Sequence, residues 1–247
     1  MNTMKYQHRL AGLLCLIFIS STASAVISPD RTRLIFNASD KSVSMRLTNQ
    51  SKSDPYLAQS WIEDSSGKKT RSFISVIPPM QRIEPGEQAQ VRMMALAELN
   101  QLPQDRETLF FYNVREIPPK AQGTNVIQIA MQSRLKLFYR PGNVELKSGD
   151  VVPVQKVLVS RTAGGMRIKN PTPYYITIGY IGINGKTLMP GAESVMVAPF
   201  SQAEQQVKNL PAQFQIGFVT DYGGLAMFKI SCNAVESACK NTPVQRG

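Results

Sequence analysis

Few side chains in this sequence could perform covalent chemistry. Its 247 residues include three cysteines and one histidine, His8, which lies close to the N-terminus. Without another histidine, the rest of the chain cannot form a Ser-His-Asp or Cys-His nucleophilic site or a histidine-containing metal centre. The glycines also lack the spacing of phosphate-binding loops. We therefore expect no enzyme, cofactor or metal, with a histidine-free hydrolase that uses carboxylates or a Ser/Lys pair as the remaining catalytic alternative.

The N-terminal residues have the composition of a secretory signal peptide. Lys5 and Arg9 precede an apolar stretch of residues 10–19, and small residues end at Ala23-Ser24-Ala25. This order predicts export with cleavage after Ala25, whereas a membrane anchor would need about 20 apolar residues. No later segment approaches that length, so we expect no membrane insertion.

Cysteine usage and charge agree with export. Cys15 lies in the predicted signal peptide, and the two remaining thiols, Cys232 and Cys239, would most simply form a disulfide in an oxidising compartment. Zinc binding is the rival interpretation, but the spacing is unsuitable. The net charge of +11 could indicate nucleic acid. Because the cations are spread along the chain rather than clustered, we expect a basic surface that binds no nucleic acid.

Alternation of apolar and polar residues predicts an all-β protein. Val43, Met45 and Leu47 alternate with polar neighbours, and similar short segments are separated by Pro, Gly and Asp turns. The longest β-like run, Val126 to Tyr139, ends at Pro141, and a second series of strands follows. Two immunoglobulin-like β-sandwich domains are predicted, residues 26–143 and 144–247, after a signal peptide at residues 1–25.

The long run contains an alternating apolar segment. Ile127, Ile129 and Met131 fall on one face, which is either ordinary core or an exposed apolar edge. An exposed edge is an aggregation hazard that most proteins avoid, but a protein that binds by adding a strand requires one.

Two cations indicate a second possible site. Arg33 and Lys136 are each typical solvated strand cations, yet together they could form an anion site at a domain junction. Lys136 has the opposite parity to the apolar segment, so a twist, a bulge or a long reach would have to bring it to a common cleft.

Seven motifs occur in a characteristic order, although the last two by themselves read as turns. They are Asp30-Arg31-Thr32-Arg33, Tyr56-Leu57-Ala58-Gln59, Leu102-Pro103-Gln104-Asp105-Arg106-Glu107, Arg115-Glu116-Ile117-Pro118-Pro119, Lys136 to Pro141, Asn170 to Tyr175 and Asp221 to Gly224. Taken together, over nearly the whole chain after residue 25, they resemble the periplasmic pilus chaperones of the chaperone–usher pathway, the PapD-like family. The short segment between Pro119 and Asn125 is similar to that of the short-loop subclass.

The resemblance implies two immunoglobulin-like domains arranged as a boomerang with a cleft. Arg33 and Lys136 would bind the C-terminal carboxylate of a pilus subunit. Ile127, Ile129 and Met131 would enter the groove of a subunit that lacks its own final strand. Glu107, Arg140 and Asp221 would form an interdomain charge network, and Cys232 and Cys239 would form the disulfide that ends the second domain.

The same resemblance implies partners and a location. The protein would act in the periplasm, keep fimbrial subunits from aggregating by donor-strand complementation, and deliver them to an outer-membrane usher. A weak homodimer through the same edge is expected when no subunit is bound. The alternative function is a secreted structural or adhesive β-sandwich protein of a surface fibre.

Overall fold

A computed structural model describes residues 26–120, 128–189, 194–233 and 238–244. The predicted signal peptide, the short segment that follows Lys120 and Ile127 therefore lie outside the described residues. None of the helices within the described ranges is long and apolar enough to cross a membrane.

In the described part of the first domain there are ten strands and one 3₁₀ helix. The strands are β1 (Ile27–Pro29), β2 (Arg33–Asn37), β3 (Ser42–Asn49), β4 (Tyr56–Asp64), β5 (Lys69–Thr70), β6 (Ile74–Ile77), β7 (Met80–Ile83), β8 (Gln88–Ala95), β9 (Thr108–Ile117) and β10 (Gln132–Arg140), and the 3₁₀ helix is Ala97–Gln101. One sheet has the order β1-β3-β8-β6, and the other has the order β2-β10-β9-β4-β5, with β7 also paired to β4.

Nine strands and two 3₁₀ helices follow Arg140 among the residues that the structure describes. The 3₁₀ helices are Gly142–Val144 and Val154–Lys156, and the strands are β11 (Leu158–Thr162), β12 (Gly165–Asn170), β13 (Ile176–Ile183), β14 (Lys186–Thr187), β15 (Val195–Val197), β16 (Ser201–Gln206), β17 (Gln213–Val219), β18 (Leu225–Ser231) and β19 (Lys240–Pro243). The sheets have the orders β11-β12-β16 and β14-β13-β17-β18-β19, with β15 paired to β13.

Each pair of sheets encloses its own hydrophobic core. In β3, Met45 and Leu47 are buried while Arg46 between them is exposed, as alternation on a half-buried strand requires. A buried side chain of this size contributes about 1.5–3 kcal/mol to folding. The first core extends along the chain from Ile27 to Tyr139 and the second from Val157 to Cys239. The all-β, two-domain fold is confirmed, while the exact boundary near residue 143 stays a prediction.

The prediction of one long strand from Val126 to Tyr139 is wrong at its start. The strand begins at Gln132, and residues 128–131 precede it. A strand needs hydrogen-bonding neighbours, and alternation alone does not supply them. In this segment only the Met131 carbonyl continues the ladder, by accepting a bond from the Glu116 N–H (3.0 Å).

Candidate functional site

Two basic side chains stand side by side where β2 begins. Arg33 is the first residue of β2 and is the register partner of Lys136 on the parallel strand β10. Paired residues on neighbouring strands project from the same face, so the structure brings these predicted cations together. On that face the Lys136 Nζ lies 3.4 Å from the Oγ of Ser194, a residue of the second domain.

Both cations are partly buried and have unused donors. The Arg33 Nε is buried and has no hydrogen-bond partner among the described residues. Burial lowers the pKa of Lys136, and the charge of Arg33 lowers this pKa further. Burial also lowers the pKa of Arg33, against the opposing effect of Asp221 and Glu107. An anion between the two side chains would counter these effects, so the pair can bind a carboxylate through charge-assisted hydrogen bonds.

The opposite parity of Lys136 and the apolar segment involves no bulge in β10. Leu135 and Leu137 flank Lys136 and are buried in the first core, so Lys136 projects from the outer face of the sheet. The pairing of β10 with β9 is regular from Gln132 to Tyr139. Of the three ways considered for Lys136 to reach the cleft, a bulge is therefore excluded between Gln132 and Tyr139, while a twist or a long reach stays a prediction. Lys136 and the two leucines beside it use opposite faces of β10, and Ile129 and Met131 precede this strand.

The apolar segment lies partly on the surface. The side chain of Ile129 is 74% exposed, and Met131 is partly buried. Both have the core-facing parity of Leu135, but Ile129 extends beyond the core of the first domain. Of the two interpretations of this segment, the exposed apolar edge holds at Ile129. Ile127, the third member of the predicted set, lies outside the described residues.

The edge of β10 is open over nearly half of its length. β2 covers β10 from Lys136 to Arg140. From Gln132 to Leu135, β10 pairs with β9 on one side only, and no strand of the described residues occupies the other side. The Arg33 and Lys136 pair therefore marks the point at which the covered edge becomes an open one.

A buried charge network joins the two domains at the other end of β10. The Arg140 guanidinium contacts Glu107 Oε1 at 2.7 Å and Asp221 Oδ2 at 3.1 Å, and Arg140 and Glu107 are almost completely buried. The Tyr175 N–H donates to Glu107 Oε2 at 2.7 Å. Burial raises the pKa of Glu107 to about 7, although Arg140 and the Tyr175 N–H act in the opposite direction. The structure thus brings together all three residues of the predicted network.

The Asn170 motif holds the second-domain side of this contact. The buried amide of Asn170 donates to the carbonyls of Tyr174 (2.7 Å) and Ala198 (2.9 Å), and its oxygen accepts from the Thr172 N–H (3.0 Å). The turn presents the Pro173 carbonyl to the Glu107 N–H at 2.9 Å. The motif is a turn, as its residue types indicate, and it also positions backbone groups for the network.

Sequence reasoning missed the apolar part of the domain contact. The rings of Phe138 and Tyr175 lie 5.5 Å apart across the junction. Gly223 approaches Thr32 so closely that an added Cβ would lie 2.7 Å from the Thr32 Oγ1, and its φ of +83° also favours glycine. The parity of Phe138, shared with Lys136, was the available signal for its outward orientation.

The cleft between the domains includes a cavity of about 560 Å³ whose lining residues include Arg33, Arg140, Asp221 and Tyr222.

A disulfide joins Cys232 and Cys239, as predicted, and connects the end of β18 to the start of β19. Within the described ranges, no group of His, Cys, Asp and Glu side chains could hold a metal ion.

The family follows from matches over most of the chain. Residues 26–145 match the family described as "Pili and flagellar-assembly chaperone, PapD N-terminal domain", and residues 153–229 match "Pili assembly chaperone PapD, C-terminal domain". The chain belongs to the PapD-like pilus-assembly chaperones. This confirms the resemblance seen in the motifs.

Individual relatives and a solved structure agree with this family assignment. The chain is 50% identical over 237 residues to the uncharacterized fimbrial chaperone YqiH of Escherichia coli K12, covering 96% of this chain and 95% of YqiH. It is 39% identical over 226 residues to the chaperone protein PapD of Escherichia coli, covering 91% and 94%. The crystal structure of the periplasmic chaperone SfaE matches with a TM-score of 0.67 at 30% identity, covering 82% of this chain and 98% of SfaE. The alternative of a structural fibre protein is not supported by these matches.

Proposed function

We propose that this protein is a periplasmic chaperone that captures pilus subunits on the open edge of β10 and passes them to an outer-membrane usher. The observation that carries the proposal is the change at Lys136, where the edge covered by β2 becomes an open edge and two cations lie at the boundary. Membership of the pilus-assembly chaperone family supports the choice of partner.

The geometry determines how a subunit strand would bind. A strand on the open edge of β10 must end where β2 begins, because both would occupy the same side of β10. If its terminal carboxylate lies at Arg33 and Lys136, the strand runs from the level of Ile129 towards Lys136, parallel to β10. Backbone hydrogen bonds would then supply affinity, and the carboxylate would fix the register.

The apolar side chains would supply the hydrophobic part of binding. Ile129 is exposed and Met131 is partly buried just before β10, and we propose Ile127 as the third member of this apolar set. In a complex they would fill the groove of a subunit that lacks a strand. This covers apolar surface that would otherwise lead to aggregation. No nucleotide or metal is required for the step.

The domain junction would hold the anchor, that is, the cation pair of Arg33 and Lys136, in place. Lys136 and Arg140 lie on the same face of β10, and Arg140 is fixed by the network with Glu107 and Asp221. The network thereby holds the second domain, including Ser194, next to the cation pair. We propose that its role is to position the anchor rather than to contact the subunit.

The test is a periplasmic pull-down from cells that express pilus subunits, with tagged wild type, Lys136→Ala and the control Lys41→Ala. Lys41 is an exposed lysine in the turn between β2 and β3 and does not line the cleft cavity. Loss of one partner of a buried, hydrogen-bonded charge pair costs roughly 2–5 kcal/mol. We therefore expect wild type and Lys41→Ala to recover a pilin-like protein, identified by mass spectrometry, and Lys136→Ala to recover little.

A peptide experiment separates the carboxylate from the strand. A synthetic peptide with the C-terminal strand sequence of the recovered subunit is titrated as a free acid and as a C-terminal amide. The acid should bind wild type more tightly than the amide, and Lys136→Ala should abolish that difference. Equal binding of acid and amide to wild type would show that the cations serve another purpose.

A further inference from the structure

A buried carboxylate lies at the beginning of the first domain. Glu116, on β9, is only 4% exposed. Its Oε2 accepts a hydrogen bond from the Val26 N at 2.7 Å and another from the Ile27 N at 2.9 Å. The motif that contains Glu116 was recognised in the sequence, but no role was predicted for this residue.

These bonds connect the two sheets of the first domain. Glu116 belongs to the sheet that contains β10, whereas β1, which starts at Ile27, pairs with β3 in the opposite sheet. The carbonyl of Val26 accepts a bond from the Gln50 N–H at 2.8 Å. Val26 is thus held on both sides, by its nitrogen and by its carbonyl oxygen.

The carboxylate of Glu116 has no cationic side-chain partner in the ion pairs of the described residues. Buried carboxylates are normally paired with a cation, because two neutral N–H donors only partly replace the water that the charge has lost. Glu107, the other buried glutamate at a strand of this sheet, follows that rule through Arg140. Glu116 differs from Glu107 in that its partners among the described residues are neutral N–H groups.

We propose that Glu116 is the receptor for the α-ammonium group that signal-peptide cleavage creates at Val26. The predicted cleavage after Ala25 converts the Val26 amide nitrogen into a terminal amine, which is mainly protonated at neutral pH. That nitrogen already lies within hydrogen-bonding distance of the carboxylate. Hydrolysis of the Ala25–Val26 bond would thus place a positive charge on a nitrogen that lies 2.7 Å from the carboxylate oxygen.

The site at Glu116 connects signal-peptide cleavage to the open edge of β10. The backbone N–H of Glu116 donates to the carbonyl of Met131, immediately before the open edge of β10. The ion pair would therefore stabilise β1, β9 and the start of β10 together. The uncleaved precursor has the same two hydrogen bonds but no counter-charge, so the first domain reaches full stability only after cleavage.

The experiment combines two changes in four proteins without a subunit present. The chain begins at Val26 or carries an additional Gly-Ser before it, and position 116 is either Glu or the isosteric change Glu116→Gln. Intact mass and N-terminal sequencing establish the first residue of each protein and of the naturally exported chain. Thermal unfolding gives the melting temperature of each, and the four values form a double-mutant cycle.

We expect the extension to lower the melting temperature by about 5 °C when residue 116 is Glu, and by less than about 1 °C when it is Gln. A purely steric effect of the extension would instead be the same in both backgrounds. Equal losses, or no loss with Glu116, would overturn the proposal, as would an exported chain that does not begin at Val26. The cycle measures stability alone, so its outcome is independent of whether the protein captures pilus subunits.

Discussion

The two halves of β10 have opposite environments. From Lys136 to Tyr139 the strand is paired on both sides, and its outward side chains meet the second domain. From Gln132 to Leu135 it is paired on one side, and the preceding Ile129 is 74% exposed. One half contributes to the stability of the chaperone, and the other provides an edge for a partner. A substitution should therefore affect either stability or capture, according to the half in which it falls.

The largest effect is expected on the stability side. Arg140→Met leaves the carboxylate of Glu107 buried without its cation, which typically costs about 3–5 kcal/mol of unfolding free energy. Urea unfolding of the protein that begins at Val26 measures this loss. The control is Arg82→Met, whose ion pair with Glu84 is exposed to solvent, so its loss should change the unfolding free energy little. Similar losses for both variants would contradict the role of the network.

The next effect belongs to the open half. Ile129→Ser should weaken subunit binding by about 1.5–3 kcal/mol, roughly 10- to 150-fold in Kd, because the side chain loses its burial in the complex. Unfolding in the absence of a subunit should change little, because Ile129 is exposed. Val151→Ser is a matched control, since Val151 is a similarly exposed apolar residue in the second domain (70%). Titration with a purified subunit measures Kd for both variants, and only Ile129→Ser should raise it. If Val151→Ser weakens binding equally, Ile129 is not a specific contact of the subunit.

The sequence predicted the faces of β10 better than its neighbours. Local alternation places Leu135 and Leu137 in the core and leaves Lys136 outside, because side-chain direction depends only on position along the strand. The pairing of Arg33 with Lys136 joins residues about a hundred positions apart, and no local pattern encodes such a register. For the same reason the beginning of β10 was misplaced, since alternation continues through Ile129 although regular strand pairing does not.

The interdomain site was predictable only through the family resemblance. Glu107, Arg140 and Asp221 are dispersed along the chain, and nothing in their individual contexts indicates that they meet. The contribution of Asn170 to the interdomain network was unpredictable for a different reason. Its turn was recognised, but the carbonyl and N–H groups that the turn presents to Glu107 are backbone groups, which leave no side-chain signal in the sequence. The role of Glu116 could not be predicted for a similar reason, since its partners are the backbone nitrogens of Val26 and Ile27.

The smallest effect tests the backbone of the open edge itself. The carbonyl of Met131 points towards β9, and successive residues of a strand direct their backbone groups to alternate sides, so the N–H of Gln132 points to the open side. Gln132→Pro removes this donor while sparing the ladder to β9, a position at which edge strands tolerate proline.

We expect Gln132→Pro to weaken subunit binding about tenfold, close to 1.4 kcal/mol, through one lost hydrogen bond and the bulk of the ring. Gln132→Ala is the matched control, because it also loses the side-chain bond to Asn113 but keeps the backbone N–H. Isothermal titration with a purified subunit compares the two. If both variants bind like wild type, the subunit does not pair with this edge, and capture must rest on the cation pair and the exposed apolar side chains alone.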